Sequence, residues 1–305
     1  MDRPELTVIV TIVEGGAALR RCLTALAAQA DAPSMEVLVP YDSNLPGVEE
    51  QVQGWKGVRA LAMGTIPVSA RHEGGQHELY DRRRAHGLRH AQGAHVALIE
   101  DRSVPRPDWA RQLVSAHRRS PVGALGGAVE PRVEGLLGWA VYFCDYGRYQ
   151  LPFAAGPRAH VSDVNVSYAR PILESTRSLW EERYHETVVH WAVQQEGQPL
   201  VLDPSVVVEH GRVHIGLRAA VAERFHWGRV FGYTRSRTDS GFSRLVHAAA
   251  APVLPLVVWT RLLVQRLQRR GRSLGRFLAA TPAILVFLVA WAAGEATGTV
   301  TGRSV

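Results

Sequence analysis

The sequence predicts an α/β fold built on a mostly parallel, Rossmann-like sheet. Leu6 to Val13 (LTVIVTIV) and Val96 to Ile99 (VALI) are apolar runs without polar alternation, as in strands covered on both faces. Between the first run and an apolar segment at Met35 to Val39, residues Leu19, Cys22, Leu23, Leu26 and Ala30 follow helical spacing, which places one stripe against a sheet. Strand, helix and strand at this length form a βαβ unit with a right-handed crossover. Glu100 and Asp101 close the Val96 strand, at the carboxyl end where open α/β sheets bind their ligands.

Taken in order, Glu14-Gly15-Gly16 is the turn after the first strand, and the second strand ends at Pro40-Tyr41-Asp42-Ser43-Asn44. By itself Asp42 reads as a turn-forming residue. Val58 to Leu61 is a third strand. Pro67 to Asp81 is polar and glycine-containing and is expected as a loop. Its Arg71, His72, His77 and Glu78 read as solvated side chains, because no helical or hairpin spacing fixes them as metal ligands. From Arg82 the chain reads as a helix, a Gly93 turn, the Val96 strand, an acidic tip and a helix opened by Pro107 and Asp108. A proline suits the first helical turn and an acid suits the positive end of the helix dipole.

Gly123 to Val129 is a glycine-rich apolar strand, followed by an aromatic-rich segment from Gly135 to Gly156 (Trp139, Tyr142, Phe143, Tyr146, Tyr149, Phe153). Core packing accounts for most of these rings, and stacking on a ligand for one or two. Val161 to Arg170 (VSDVNVSYAR) is a further strand. Trp180 to Gly197 reads as one helix with Gly197 as its stop, and Glu181, Glu182 and Glu186 are acids favourable to its start. Leu200 to His210 reads as a strand, a Pro204 turn and a second strand. From Arg224 to Arg237 basic and aromatic residues interleave, which also suits a membrane surface.

A chain of 305 residues buries one sizeable core or two modest ones. The net charge is +7 and the pI about 9.9, yet every basic residue except Lys56 is arginine. Such a bias reflects gene composition as readily as function, so nucleic acid is not an expected partner. Cys22 and Cys144 give neither a disulfide framework nor a metal spacing and read as buried thiols of a reducing compartment. The first strand is too short for a signal peptide, which places the catalytic part in the cytosol.

Residues 240–294 contain no Asp or Glu. Two apolar stretches lie there, Leu245 to Val264 and Phe277 to Ala293, around a linker with Arg266, Arg269, Arg270 and Arg272. The expected division is a catalytic domain over 1–240 and a membrane-association region over 241–305. The first stretch carries His247, Pro252, Pro255 and Arg261. It is expected to lie in the interface or re-enter with the prolines as its bend. A full first span would carry the linker to the far side, against the positive-inside tendency, so the arginines are placed beside cytosolic lipid headgroups. The second stretch, seventeen residues without charge, is at the lower limit for a span. It either spans or dips in.

The segment Arg82 to Trp109 resembles the core of the family 2 glycosyltransferases, of the membrane-associated bacterial type. In that family an Ala-Arg-Asn-x-Gly helix leads through Ala-x-Gly to a strand ending in Asp-x-Asp, then to a Pro-Asp-Trp-type helix. Here Arg84 and Gly87 match the first motif, Ala91 and Gly93 the second, and Pro107, Asp108 and Trp109 the last. The resemblance covers about residues 6–237, and its specificity lies in the order of the motifs.

The resemblance implies a GT-A fold and transfer of a sugar from a nucleotide-diphosphate sugar, with a UDP-sugar favoured, to an acceptor hydroxyl with inversion. A lipid-linked or envelope glycan is the implied acceptor. It implies donor contacts at Val13, Glu14, Asp42, Arg84, Glu100, Asp101 and Arg102, and a Mg²⁺ or Mn²⁺ held by Asp101 with His210. His210 is alternatively a diphosphate contact. Asn165 and Arg170 match positions near the acceptor or the diphosphate, and Arg224 and Trp227 match a segment that closes over both. The family's general base is the second residue of a pair counted back from the glycine stop. From Gly197 that pair is His185-Glu186, making Glu186 the base, with Glu181 and Glu182 the candidates in another register.

The Asp-x-Asp position reads Glu100-Asp101-Arg102, and an arginine cannot be a metal ligand. Three alternatives stand: ligation moves to Asp101 with His210, Arg102 pairs with phosphate directly, or donor chemistry is lost and the chain is a membrane-associated scaffold or partner subunit on the same fold. A dinucleotide-binding Rossmann protein is the poorer rival, because Glu-Gly-Gly and not Gly-x-Gly-x-x-Gly follows the first strand.

Overall fold

A computed structural model describes residues 3–68, 73–119, 121–212, 216–237, 240, 242, 246, 249–269 and 272–303. Arg71, His72, Leu245, His247 and Arg270, named above, lie outside these residues. The chain divides into two compact units.

The first unit begins with β1 (Leu6–Thr11), α1 (Gly16–Ala27), β2 (Met35–Tyr41), α2 (Val48–Val52) and β3 (Val58–Ala62). It goes on through α3 (Glu73–His90), β4 (His95–Glu100), β5 (Ser103–Pro105), α4 (Trp109–Arg119) and β6 (Ala124–Pro131). The chain then leaves for α5 (Gly135–Asp145) and returns as β7 (Gly156–Pro157), β8 (Asn165–Ala169), α6 (Arg170–Ser175), α7 (Arg177–Trp180), α8 (Glu186–Gln195) and β9 (Leu200–His210).

The strands form one nine-stranded sheet in the order β3-β2-β1-β4-β8-β6-β9-β5, with β7 beside β9. β1 pairs in parallel with β2 and β4, and β2 with β3. Beyond β4 the sheet turns antiparallel, at β4–β8, β6–β8, β5–β9 and β7–β9. The mostly parallel expectation therefore holds for one half only. β6 and β8 are buried on both faces, so their sequences lack the alternation that usually betrays an antiparallel strand.

Four local expectations are corrected. The supposed loop through Asp81 is helical from Glu73. The buried positions of α3 include Asp81, Arg83 and Arg84 beside Leu79, Ala85 and Leu88, so charge hides its sheet-facing stripe. The helix expected from Trp180 is broken: α7 ends there, Tyr184 is buried in the connection, and α8 starts at Glu186. Leu200–His210 is one strand. Asp203 Oδ1 accepts the N–H of Ser205 at 2.8 Å beside Pro204. The α1 stripe is buried as expected from Leu19 to Leu26, but Ala30 lies past the helix and is exposed.

The second unit comprises α5, α9 (Leu217–Ser236), α10 (Leu254–Gln268) and α11 (Leu274–Thr301). Trp139, Tyr142 and Phe143 of α5 pack in its core with Phe277, Ile284 and Phe287 of α11, so these aromatic residues are core. The helical unit thus takes in α5 and α9 as well as the C-terminal helices, and its limit is not residue 240. Pro252 lies in a turn over residues 251–253 that separates helical residues 249–250 from α10, and Pro255 sits in the first turn of α10, where its fixed φ suits a helix start. Arg266 and Arg269, expected at lipid headgroups, instead donate to the carbonyl of Gly147, with Arg269 also reaching Arg148 O at 2.6 Å. α11 has 28 residues and is long and apolar enough, by length and composition, to cross a membrane.

Candidate functional site

The carboxyl ends of β1 and β4 lie side by side, with Thr11 opposite Glu100. Asp101 turns its side chain back toward the β1–α1 loop and is 1% exposed. Its Oδ1 accepts from Val13 N at 3.0 Å, and its Oδ2 from Glu14 N at 3.0 Å and Gly15 N at 2.5 Å. Gly15 takes φ 73°, a left-handed value at little cost for glycine. Burial raises the Asp101 carboxyl to about 6, against the lowering effect of these three amides. Asp101 thus holds the loop by its backbone, with Val13 and Glu14 as its partners.

Arg102 meets the same loop through a side chain. Its Nε lies 3.2 Å from Glu14 Oε2 at the partly exposed mouth of the same loop. Asp42 is buried, paired with Arg83 at 2.7 Å, and accepts from Asn44 N at 2.9 Å. Arg83 also donates to Ile12 O at 2.7 Å. Asp42 and Arg83 therefore tie the end of β2 to the end of β1.

Behind the loop is an acidic knot. Arg84 lies 2.8 Å from Asp163, 3.0 Å from Glu100 and 3.4 Å from Asp81. Burial alone would lower the Arg84 pKa, and the carboxylates of Asp163, Glu100 and Asp81 together raise it. Burial raises the carboxyl of Asp163, with Arg84 lowering it and Glu100 raising it further. Burial likewise raises Asp81, opposed by Arg84, His185 and Arg183. Arg183 is 3.1 Å from Asp81. His210 Nε2 stands 3.7 Å from Glu100 Oε2, and its Nδ1 is 3.0 Å from Ser103 Oγ.

α8 begins beside this knot. His185 is its N-cap residue, and burial lowers its pKa. Glu186 Oε1 lies 3.7 Å from His190 Nδ1, and His190 Nε2 is 2.7 Å from the Tyr168 hydroxyl. Burial lowers His190 to about 3, so that ring is neutral at pH 7. Thr11 Oγ1, Arg84 Nε and His185 Nδ1 are buried without a hydrogen-bond partner among the described residues. All three belong to the strand ends and the knot, where a polar ligand would satisfy them.

Other expected site residues lie elsewhere. Asn165 receives Trp109 Nε1 at 2.9 Å and donates to Ala128 O and Val206 O at 2.9 and 3.0 Å. Its amide is a cross-link inside the sheet. Arg170 donates to Gly93 O and Ala91 O at 3.0 Å, at the amino end of β4. Because β8 is antiparallel to β4, Asn165 pairs near Ile99 and Ala169 reaches His95, so the strand carries Arg170 away from Glu100. Glu181 faces Arg177 at 3.3 Å on the surface, and Glu182 is exposed. Arg224 and Trp227 belong to the helical unit, where Arg224 pairs with both oxygens of Asp145 and covers the Trp227 ring at 4.5 Å.

Sequence reasoning missed Asp81, Arg83, Asp163 and Arg183. Asp81 stands three residues before Arg84, a helical-face spacing, which a helical reading of that segment would have exposed. Asp163 is a lone acid in the turn two residues before β8 and carries no such signal.

No family model matches the sequence, and no curated protein matches it. Among solved structures, S. aureus TarS residues 1–349 in complex with UDP-GlcNAc is similar at 10% identity and a TM-score of 0.49. That match covers 72% of this chain and 65% of the TarS chain, so this chain spans less than two thirds of that structure's length.

Proposed function

We propose that the chain is a family 2-type glycosyltransferase that moves a sugar from a nucleotide-diphosphate sugar, a UDP-sugar by preference, to an acceptor hydroxyl. The observation that carries this reading is the paired strand end. There Asp101 holds the β1–α1 loop by three amides while Glu100 and Arg84 share a buried knot beside it. The order of the sequence motifs over residues 82–109 is the second support.

In the reaction the acceptor oxygen bonds to the anomeric carbon as that carbon's bond to the diphosphate oxygen breaks. The acceptor proton passes to a carboxylate, and attack opposite the leaving group inverts the centre. Glu186 is that base in this reading. Glu100 and Asp163 receive hydroxyls of the donor, and Arg102 faces the diphosphate, where a guanidinium pairs well with phosphate oxygens. Asp101 keeps the loop in place and does not touch the donor.

A Mg²⁺ or Mn²⁺ between Asp101 and His210 does not fit these residues. The Asp101 oxygens accept backbone amides, and Arg102 occupies the following position. Among the described residues no group of three or more His, Cys, Asp or Glu side chains is arranged to hold a metal ion. Donor binding is accordingly proposed to proceed without a protein-held cation.

The chain is proposed to work at a membrane, through the helical unit, with the catalytic unit on the cytoplasmic face where nucleotide-sugars are made. A lipid-linked or envelope glycan is the proposed acceptor. The Arg102–Glu14 pair also favours a second reading, a catalytically degenerate scaffold or partner subunit on the same fold. A thermal-shift screen of UDP-, GDP- and dTDP-sugars, followed by assay of donor hydrolysis, separates the two, since binding raises the midpoint by mass action. Binding with turnover supports the enzyme, and binding without turnover on any acceptor supports the scaffold.

A further inference from the structure

One side of α11 is bound to protein from end to end. Phe277, Ile284 and Phe287 of its first half sit in the core with α5. In its second half Gly294 and Gly298 are pressed against the carbonyls of Phe225 and Arg229, and Gly228 and Gly232 of α9 against those of Trp291 and Glu295. A Cβ at any of the four would collide with backbone, so the two Gly-x-x-x-Gly pairs let the helices approach to backbone contact. Arg235 and Glu295 pair across the same contact at 2.7 Å.

This packing decides how α11 can meet a bilayer. A crossing by α11 would take α9 with it, and α9 carries Arg218, Glu223, Arg224, Arg229 and Arg235. Ionisable groups at the bilayer centre are costly, and those of α9 are too many for a span. The apolar surface that remains free is on the other side. Leu256, Val264 and Leu267 of α10 are exposed, and Leu278, Val286 and Val289 of α11 repeat the same i, i+8, i+11 spacing. Leu256 is 62% exposed and Val289 56%. Spacings of this kind fall on one helix face. The surrounding charge is of one sign: residues 240–294 have no acid, and Arg261, Arg272 and Arg276 are exposed. Apolar stripes flanked by cations match an anionic lipid surface.

We propose that α10 and α11 lie along one leaflet of an anionic membrane with their exposed stripes inserted, and that α11 does not cross it. This rests on the membrane-associated reading above. The first test is flotation of the full chain with phosphatidylcholine vesicles with and without about 30% phosphatidylglycerol. Flotation on the anionic vesicles is expected. The double variant Leu256→Asp, Leu267→Asp should lower the bound fraction by about tenfold or more, with its thermal midpoint and nucleotide-sugar affinity unchanged, because both side chains are exposed. No flotation of the parent chain would overturn the membrane reading itself. A dimer in lipid-free buffer that the same substitutions dissociate, without flotation, would assign the face to a second copy.

The second test is sidedness in spheroplasts, with an impermeant maleimide added outside. Val300→Cys and Asp31→Cys should both be labelled only after permeabilisation, with the parent chain as the blank for Cys22 and Cys144. Labelling of Val300→Cys alone from outside would mean that α11 spans, and would overturn the leaflet proposal while leaving membrane association intact.

Discussion

Arg84 of α3 and Asp163, two residues before β8, meet at 2.8 Å, joining a helix to a strand across 79 positions of sequence. Glu100 and Asp81 lie against the same guanidinium. Three carboxylates around one buried cation leave an excess of negative charge that Arg183 partly offsets. The knot is therefore held by Arg84 and is open to groups that donate hydrogen bonds.

Removing Arg84 should be the costliest single change in the first unit. Arg84→Ala leaves buried carboxylates without their cation, a loss of about 3–5 kcal/mol, whereas Asp163→Asn relieves repulsion with Glu100 and should cost far less. Urea unfolding of the two variants checks the order. Equal destabilisation would mean that Asp163, not Arg84, is the keystone.

Asp101→Asn should weaken nucleotide-sugar binding without removing any proposed donor contact. Its amide nitrogen would face backbone N–H groups that now meet an oxygen, and an unsatisfied buried donor costs about 1–3 kcal/mol. Hydrogen exchange at Val13, Glu14 and Gly15 should accelerate in the variant. Unchanged exchange would show that the loop holds itself.

The legible part of the fold was the part with an unambiguous pattern. The Val96 strand, the Pro107 helix start and the Gly197 stop were all readable, because each rests on a local rule that tertiary structure did not override. Arg170 was misplaced for a topological reason. The strand before it is buried on both faces, so nothing in VSDVNVSYAR told that β8 runs antiparallel to β4 and points Arg170 away from the site. The face of α3 was hidden because Asp81, Arg83 and Arg84 are charged yet buried. The Asp101 position was readable, but its side chain's turn toward the β1–α1 amides was not, since a strand-end acid can face either way.

Stability should fall in acid through the buried histidines. Burial lowers His117 and His190 to about 3 from 6.5, so the unfolded chain binds more protons between those values. Their contribution is complete above pH 6.5 and is lost as pH falls, at about 1.4 kcal/mol per pH unit for each group. Asp101 works oppositely: raised from 3.8 to about 6, it contributes fully below pH 3.8 and loses that contribution as pH rises through 6. His117→Gln, which keeps a polar partner for Ser167, should flatten the acid limb of a urea-midpoint profile. An unaltered slope would assign the titration elsewhere.

Glu186→Gln should leave donor affinity nearly intact and lower turnover by roughly 10²–10⁴-fold, the usual range for loss of a general base. His190→Gln, which replaces the neighbour of Glu186 and the partner of the Tyr168 hydroxyl with another polar side chain, should shift the pH profile of turnover more than its maximum. If Glu186→Gln turns over like the parent, Glu181, Glu182 and His185 are the next to substitute.

Titration calorimetry of the full chain with UDP-sugars, in EDTA and again in Mn²⁺, addresses the donor site at the ends of β1 and β4. Saturable binding in EDTA is predicted, little altered by Mn²⁺. It should be lost in Arg102→Glu, which reverses the charge opposite Glu14, and kept in Arg118→Glu, on the exposed end of α4. Binding that requires Mn²⁺ and survives Arg102→Glu, or no binding of any nucleotide-sugar in either buffer, would contradict it.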